Sequence, residues 1–296
     1  MANTLTASLV LDTISARVIT PLGNRFAPLA AFASDFSDEQ YTQGQNVRLR
    51  NATAGGTTQT NPTNWESGDS TIGNINLLVN QYSQSFQLSP RELNNGFSLK
   101  QVIDINLQNF ANKVMDVAFT PCTTTNFSNI TIAQSSLVYQ NLQTAWAATA
   151  KSPIKNLVLD STALSVLGPK DLYGFQLGNS KMGQGQPGFN FDGIFLNTRW
   201  TGAGTNIYGF AGGPNALAFV AGVPTMDDET KADINATAIS IPLSGNGTGQ
   251  AYDGQSITVV ASTWLARSTR IRWCSFDVMF GAAMVDNTAA ILFKSA

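Results

Sequence analysis

The sequence contains no histidine, and this limits the chemistry that its side chains can perform. A Ser-His-Asp or Cys-His nucleophile, a histidine general base and a histidine-ligated metal all require an imidazole. The two cysteines, Cys122 and Cys274, are too few for a disulfide framework or a CxxC metal motif. They are expected to be buried thiols, with one disulfide as the alternative. The chain is therefore not expected to be an enzyme, and no cofactor or metal is predicted.

A glycine pattern in the second half of the chain matches a dinucleotide-binding motif without its structural setting. Gly183, Gly185 and Gly188 are spaced as GxGxxG, which binds a pyrophosphate where a strand turns into a helix. Here Pro187 interrupts the motif, and the surrounding segment is too rich in glycine to form that helix. The match is therefore interpreted as a chance one.

Two charged clusters remain, and neither has the spacing of a catalytic or metal site. The acidic run 227–233, DDETKAD, fits neither a calcium loop nor a glycosidase carboxylate pair, so a solvated loop is favoured. Arg267, Arg270 and Arg272 form a short basic stripe, and the last two share one face if the segment is a strand. This stripe could contact phosphate, pair with another subunit or form an ordinary polar face.

The composition indicates a folded chain with much of its surface facing other protein. Hydrophobic residues make up 43% of the chain and charged residues 12%, whereas about 25% charged is usual. Charged residues are depleted at the cores of protein interfaces, so this composition favours an assembling protein. The net charge of −2 gives no basic footprint for nucleic acid. No transmembrane run and no signal peptide are recognisable, so no membrane partner and cytoplasmic synthesis are expected.

The longest helical pattern runs from Phe97 to Pro121, and the other elements are arranged around it. Its apolar residues recur at steps of three and four, which is the spacing of one helix face: Leu99, Ile103, Leu107, Phe110, Val114 and Ala118. Ser98 is the expected N-cap, and Pro121 is expected to end the helix. Taken alone, the pattern is best explained by an ordinary core helix, and its setting decides whether it has a further role.

The N-terminal segment has helical spacing over residues 5–19. Pro21 and Pro28 are then expected to break the chain into an extended, apolar arm. Such a segment needs a surface on which to lie. Two interpretations carry similar weight: a helix packed on its own domain, or an arm that reaches a neighbouring subunit.

A long polar β-hairpin is predicted between Tyr41 and Leu88. Alternating apolar and polar residues mark its strands, and residues 51–70 between them are rich in turn formers. The apolar positions change face before Tyr82, which predicts a bulge or a strong twist. Because an isolated hairpin is marginal in water, this one is expected to rest on a partner subunit, with Trp65 as an anchor.

The remaining pattern predicts a mixed domain of helices and strands. A second helix is predicted over 135–149, with Leu137, Val138, Leu142, Ala145 and Trp146 on one stripe. A short buried strand over 154–159 is followed by Asp160, which is the expected cap of a third helix. Further strands are predicted at 216–223, 239–243, 256–266 and 269–285, and Asp286 is expected to start a final short turn before residues 291–293.

The order of these elements resembles the major capsid proteins of tailed double-stranded-DNA bacteriophages, whose fold is shared with encapsulins. The strongest local matches are NLVLDSTALSVLG at 156–168, GGPNALAFV at 212–220 and the closing FDVMFG segment. The resemblance covers nearly the whole chain, and the order and spacing of the segments carry it. It implies an α+β fold with an N-terminal arm, an extended β-hairpin loop, a peripheral domain with a long spine helix, and an axial domain.

This resemblance also implies domain boundaries and partners. The expected boundaries are 1–38 for the arm, 39–90 for the extended loop, 91–153 for the peripheral domain, 154–255 for the axial domain and 256–296 for the returning C-terminal strands. The expected role is a structural subunit of an icosahedral virion capsid, self-assembled into hexamers and pentamers in the bacterial host cytoplasm around double-stranded DNA held by non-specific contact. A portal and a decoration protein are further expected partners. Because the chain starts almost directly at the arm, a separate scaffolding protein is expected.

The candidate contacts between subunits lie on the arm, the loop, the spine helix and the last strands, because in that family the extended loop lies along a neighbour's spine helix. They are Leu9, Ile14, Arg48, Arg50, Trp65, Glu66, Lys100, Asp104, Arg270 and Arg272. The alternatives are an encapsulin-like compartment shell, another virion structural protein such as a tail or decoration protein, or, less favoured, a secreted glycan-active β-protein.

The loop also departs from family members that cross-link covalently through a loop lysine. No lysine lies between Gln45 and Leu99, so a non-covalent shell is expected. Intact particles boiled in denaturant should therefore run on a gel as one band at the chain mass of 31.5 kDa. A ladder of higher bands would contradict this prediction.

Overall fold

The computed structural model describes residues 7–37, 46–53, 60, 71–89, 96–149, 155–167, 191, 193–196, 206–224, 234–243, 255–266, 268–269 and 271–295. Within these ranges the chain has a six-stranded sheet, a five-stranded sheet and a separate two-stranded ribbon, together with four α-helices. The α+β class expected from the sequence is confirmed.

The elements have the following bounds. The helices are α1 (Ala7–Phe32), α2 (Gly96–Ala118), α3 (Tyr139–Ala148) and α4 (Ser161–Leu167). The strands are β1 (Ala33–Asp35), β2 (Asn46–Thr53), β3 (Thr71–Leu78), β4 (Asn80–Leu88), β5 (Ser128–Thr131), β6 (Asn156–Leu159), β7 (Gly193–Leu196), β8 (Ile207–Gly212), β9 (Leu217–Gly222), β10 (Asn235–Pro242), β11 (Ser256–Ala266), β12 (Ile271–Met284) and β13 (Ala290–Lys294).

Strand β12 is the hub of the six-stranded sheet. It pairs antiparallel with β11 over 271–277 and with β9 over 279–284. Along its other edge it pairs with β4 over 272–280. β10 extends the sheet beyond β11, and β1 pairs in parallel with β9. This sheet therefore joins the segment that follows α1 to the last strands of the chain.

The two long helices cover one face of this sheet. α2 packs against β4 and β12, and α1 packs against β10, β11 and α2. The apolar face of α2 expected from the sequence is confirmed, since all of its members are buried: Leu99, Ile103, Leu107, Phe110, Val114 and Ala118. The expected cap is wrong, because α2 begins at Gly96 and Ser98 lies within its first turn.

The N-terminal segment is not the extended arm that Pro21 and Pro28 predict. Both prolines lie inside one continuous helix, α1. A proline inside a helix costs about 3 kcal/mol or more, whereas burying one large apolar side chain stabilises by about 1.5–3 kcal/mol. The apolar side chains of α1 that are buried include Leu11, Ile14, Val18, Leu22, Phe26 and Leu29. Their packing offsets the two prolines, so the helix packed on its own chain is the interpretation that holds for residues 7–32.

The hairpin is shorter than predicted, because its last part belongs to the six-stranded sheet. β2 and β3 pair antiparallel, from Asn46 opposite Leu78 to Thr53 opposite Thr71. After Val79 the chain continues as β4, which pairs with β12 instead of β2. The change of face read from the sequence therefore coincides with a change of partner strand at Val79.

The base of this hairpin rests on the face of the six-stranded sheet that the long helices leave open. Its buried side chains form a small cluster with residues of β9 and β12: Val47, Leu77, Val79, Ala218, Val220, Met279 and Ala283. Gly281 lies between Met279 and Ala283 on the same face of β12, and β3 passes directly over it. A Cβ atom at Gly281 would lie 2.3 Å from the carbonyl oxygen of Leu78 and 2.5 Å from Cδ2 of Leu77.

The five-stranded sheet has the order β5-β13-β8-β6-β7. One of its faces forms a cluster with residues of α3 and α4. The other meets the end of α1, where the Phe32 ring lies 5.1 Å from that of Phe210 and 6.3 Å from that of Phe119. Asn156 Nδ2 of β6 donates to the Ala31 carbonyl oxygen at 2.9 Å, which ties α1 to this sheet. The sheet combines strands within 154–255 with β5 and β13 from outside that range.

The cap predicted for the third helix is confirmed. Asp160 Oδ1 accepts a hydrogen bond from the backbone N–H of Ala163 at 2.7 Å. Burial, and then the negative charge of Asp160, raises the pKa of Tyr208 to about 12, so this phenol stays neutral at physiological pH.

The second helix forms as α3 but begins after Val138, which is exposed instead of lying on the buried stripe. Most of the glycine-rich segment lies outside the described residues.

The close approach of β3 to β12 predicts a large effect of a single methyl group. Gly281→Ala should destabilise the subunit by about 1–3 kcal/mol, because the added Cβ clashes with backbone that is held by two strands. Gly23→Ala is the matched control, since its Cβ would meet the Pro242 carbonyl oxygen at an ordinary 3.5 Å. That control should be neutral or stabilising by about 0.5–1 kcal/mol, because alanine is preferred inside a helix. The free energy of unfolding of both variants is measured in urea. Equal changes in the two variants would refute the clash.

Candidate assembly surface

The described residues were expected to hold no metal site. No group of three or more His, Cys, Asp or Glu side chains comes together among them. No described helix is long and apolar enough to cross a membrane. The exposed faces of the described helices and strands are the candidate surfaces for assembly.

The two cysteines are buried, free thiols, as the sequence favoured over a disulfide. Burial raises the pKa of both thiols above the ordinary value for cysteine. At Cys274 the Thr263 hydroxyl and the Arg272 charge oppose that effect without cancelling it. Both thiols therefore stay protonated at neutral pH and are poor nucleophiles.

A buried polar network links the centre of β11 to β12. The hydroxyl oxygens of Ser262 and Ser275 lie 2.7 Å apart, and Ser275 Oγ donates to Asp277 Oδ2. All three side chains are buried. Since solvent does not reach these groups, the network cross-links two strands and does not form a site for a substrate.

Among the side chains of α2 that the structure describes, the exposed ones are polar except for one isoleucine. Ile105 is 60% exposed, and Lys100 and Asp104, which lie one turn apart, are also exposed on this helix. At the edge of this face, Gln84 Nε2 of β4 donates to Asn106 Oδ1 at 3.0 Å. Asn106 Nδ2 donates to the Val102 carbonyl oxygen at 2.8 Å, so amide groups hold α2 against β4. The face therefore combines one apolar contact point with charges of both signs on a rigid helix.

The outer face of the hairpin has a similar character. Val47 and Leu77 point toward the sheet and are buried, while Arg48, Asn74 and Asn76 on the other face are exposed. Leu78 is 49% exposed at the base of this face. The hairpin thus presents amides, one described arginine and one leucine on a ribbon whose opposite side is fixed to the sheet.

Comparison with known proteins places this fold. No protein-family model and no curated protein matches the sequence. A virus-like particle from Pyrococcus furiosus aligns with a TM-score of 0.53 and 11% identity, over 96% of this chain and 98% of that one. A chain of Mycobacterium phage Bobi aligns with a TM-score of 0.50 and 11% identity, over 90% and 89%. The chain has the tailed-phage major capsid fold, which encapsulin-like particles share. At this identity the likeness concerns the fold alone.

The segment predicted as the spine helix forms α2, and the described part of the segment predicted as the extended loop forms β2, β3 and β4. Of the predicted contact residues, Arg48, Lys100 and Asp104 are exposed on these elements. Arg272 is partly exposed, and its Nη1 donates to Thr263 Oγ1 at 3.4 Å. Ile14 is only 1% exposed and packs in the core of its own chain, because α1 is a core helix here. The remaining candidates lie outside the described residues or have side chains that do: Leu9, Arg50, Trp65, Glu66 and Arg270.

The structure adds exposed apolar residues that the sequence reasoning missed. Ile105 and Leu78 lie on the two outer faces, and Leu265 is 51% exposed near the end of β11. A signal for Ile105 was present, because it falls off the face on which the other apolar residues of α2 recur. No sequence pattern indicated that Leu78 would be exposed, since a strand of a predicted hairpin can be covered by other elements on both of its faces.

Proposed function

We propose that the chain is a structural, non-catalytic subunit of a closed protein shell built from many copies of itself. The observation that carries this proposal is the alignment over 96% of this chain and 98% of a protein that forms a virus-like particle. The alignment covers nearly the whole of both chains, so the likeness concerns the complete fold of that particle's subunit and not one part of it.

Weak contacts are sufficient for such an assembly. In a closed shell each subunit makes the same contacts as every other, and heterologous contacts close rings when the rotation between neighbours allows it. The low charge content of 12% reduces repulsion between neighbours and the cost of desolvating their surfaces. The outer faces of α2 and the hairpin, with mixed amides and single apolar side chains, fit this kind of contact.

The finer form of the proposal is an icosahedral phage capsid. Hexamers and pentamers of the chain would enclose packaged double-stranded DNA in the virion, after assembly in the host cytoplasm with a scaffolding protein, a portal and a decoration protein. A slightly acidic wall with a net charge of −2 suits this role, because DNA slides past it without binding tightly.

The second candidate is an encapsulin-like compartment that encloses protein cargo. The alignment with the archaeal particle, which covers 98% of that chain, favours it specifically. The two candidates differ in contents: the capsid encloses nucleic acid, whereas the compartment encloses a protein.

In both forms, the outer face of the hairpin lies along the outer face of α2 of a neighbouring subunit. Arg48 on the hairpin and Asp104 on α2 have opposite charges, and Leu78 and Ile105 supply an apolar contact on each side. Charge pairing at an exposed contact contributes about 0–1 kcal/mol, so the apolar contact supplies most of the affinity and the charges set the register.

The direct test is to express the full chain and examine it by size-exclusion chromatography and negative-stain electron microscopy. Closed shells or ring-shaped capsomers are the expected result, and a stable monomer at high concentration would overturn the proposal. Shells isolated from the native source, treated outside with nuclease and protease, are then analysed for contents. Protected nucleic acid identifies the capsid, and a protected second protein identifies the compartment.

Ile105 provides the sharpest test of the contact between neighbours. Ile105→Asp should lower the yield of assembled particles at least tenfold, because a carboxylate replaces the apolar contact at every copy of the interface. Ile105→Leu is the matched control and should assemble normally. Both variants should keep the thermal unfolding temperature of the unassembled subunit, since the side chain is exposed. Normal assembly of the aspartate variant would exclude this face as the contact.

A further inference from the structure

One edge of the five-stranded sheet is the strand β5, and its outer side has no partner among the described strands. On its inner side β5 pairs in parallel with β13 over residues 128–131. Ile132 donates its N–H to the Lys294 carbonyl oxygen at 2.9 Å, so in this parallel register the even-numbered residues bond to β13. The backbone N–H and C=O groups of Asn129 and Thr131 therefore point outward from the edge of the sheet.

This edge has few of the features that keep other sheet edges unpaired. Exposed edges are commonly protected by a charged residue, a proline or a bulge. β5 reads SNIT, and its register with β13 has no shift. Asn129 Nδ2 donates to Thr131 Oγ1 at 2.8 Å, which holds these two side chains together on one face of the strand. The outward backbone groups are therefore available to a further strand.

A cleft of about 430 Å³ adjoins the start of this edge. Its floor is apolar and buried, and it is formed by Phe127, Ala290 and Ile291. Its rim carries exposed amides, which include Asn129 of β5 and Asn287 of the turn between β12 and β13. None of the described lining side chains is charged. We call these five residues the edge cleft.

Hydrogen bonds fix both walls of the edge cleft. On one side the Thr123 carbonyl oxygen accepts from the N–H groups of Asn126 and Phe127, both at 3.0 Å. On the other side Asp286 Oδ1 accepts from Thr288, at 2.8 Å from its backbone nitrogen and 2.6 Å from its hydroxyl oxygen. Walls that are already ordered lose little conformational entropy when a partner binds.

The size of this site decides which kind of partner it fits. β5 has four residues, which span roughly 13 Å at about 3.3 Å per residue. A stable contact between two folded copies buries about 1,200–2,000 Å², which is more than so short an edge and one small cleft supply. A short linear segment needs only backbone partners along an edge and a pocket for one or two of its side chains.

The edge cleft also selects against charge in such a segment. A charged side chain that entered it would lose water without gaining an opposite charge from the described lining residues. Small uncharged side chains, either apolar or carrying a hydroxyl group, match the apolar floor and the amide rim.

From these observations we infer that the outer side of β5 and the edge cleft bind a short, extended, uncharged segment of another protein. The segment adds a strand to the five-stranded sheet, with hydrogen bonds to the backbone of Asn129 and Thr131, and places a side chain in the edge cleft. The inference goes beyond the proposed shell function and does not depend on it, because a single subunit carries the whole site.

The test uses the full chain and a library of blocked pentapeptides built from serine, threonine, alanine and valine. Members of the library should slow amide hydrogen exchange at Asn129 and Thr131 at least tenfold, because a bound peptide accepts hydrogen bonds from both. Mass spectrometry of the exchanged chain measures this. The same peptides with N-methyl groups on alternate amides should give no such protection. A library in which no member slows exchange at these two residues would overturn the inference.

Asn129→Pro gives a second readout. Proline removes the outward N–H, and no bond to β13 is lost because that N–H lies on the open side of the edge strand. The affinity for the library peptides should fall at least tenfold. Asn129→Ser is the matched control, since it keeps the N–H, and it should bind within about twofold of the wild type. Equal affinity of the two variants would count against the site, and the N-methylated peptides decide the question if the proline variant does not fold.

Three outcomes separate this inference from the shell proposal. If the chain forms shells and no peptide binds, the inference fails and the shell proposal stands. If the chain stays monomeric and binds peptides, the shell proposal fails and the inference stands. If assembly alone protects Asn129 and Thr131 from exchange, a second copy covers this edge and the inference is overturned.

Discussion

The core face of β12 is the part of the structure on which the other elements depend. Cys274, Phe276, Val278 and Phe280 lie on this face and are buried. The Phe276 ring lies 6.1 Å from that of Phe110 on α2 and 5.7 Å from that of Phe86 on β4. Each fully buried side chain of this size stabilises the fold by about 1.5–3 kcal/mol. This face therefore positions α2, and the backbone of β12 joins β4, β9 and β11 in one sheet.

The opposite face of β12 explains how a protruding hairpin can be held by a single chain. Small side chains, Ala218, Ala283 and the bare Cα of Gly281, leave room for β3 to cross over the sheet. The two strands of the hairpin, β2 and β3, are therefore anchored at their base, while their outer face stays exposed. A ribbon fixed in this way has a defined direction before it meets a neighbour, and this reduces the entropy lost in assembly.

The placement of α1 changes which surfaces are available for assembly. The arm expected from the sequence would have contacted a neighbouring subunit through Ile14. In the structure this side chain packs in the core of its own chain. The hairpin, the outer face of α2 and the end of β11 are among the described surfaces with exposed apolar residues. An assembly through several small contacts of this kind is sensitive to salt and to single substitutions, since each contact is repeated in every copy.

The sequence alone determined the elements whose signals are local. The buried face of α2, the alternation in β4 and the Asp160 cap follow from residues a few positions apart, and the absence of histidine needs no structure. The tertiary structure decided which strand β4 pairs with, that α1 continues through Pro21 and Pro28, and that Leu78 is exposed. These features depend on contacts between residues far apart in the chain, and packing there outweighs the local preference of proline or of an alternating strand.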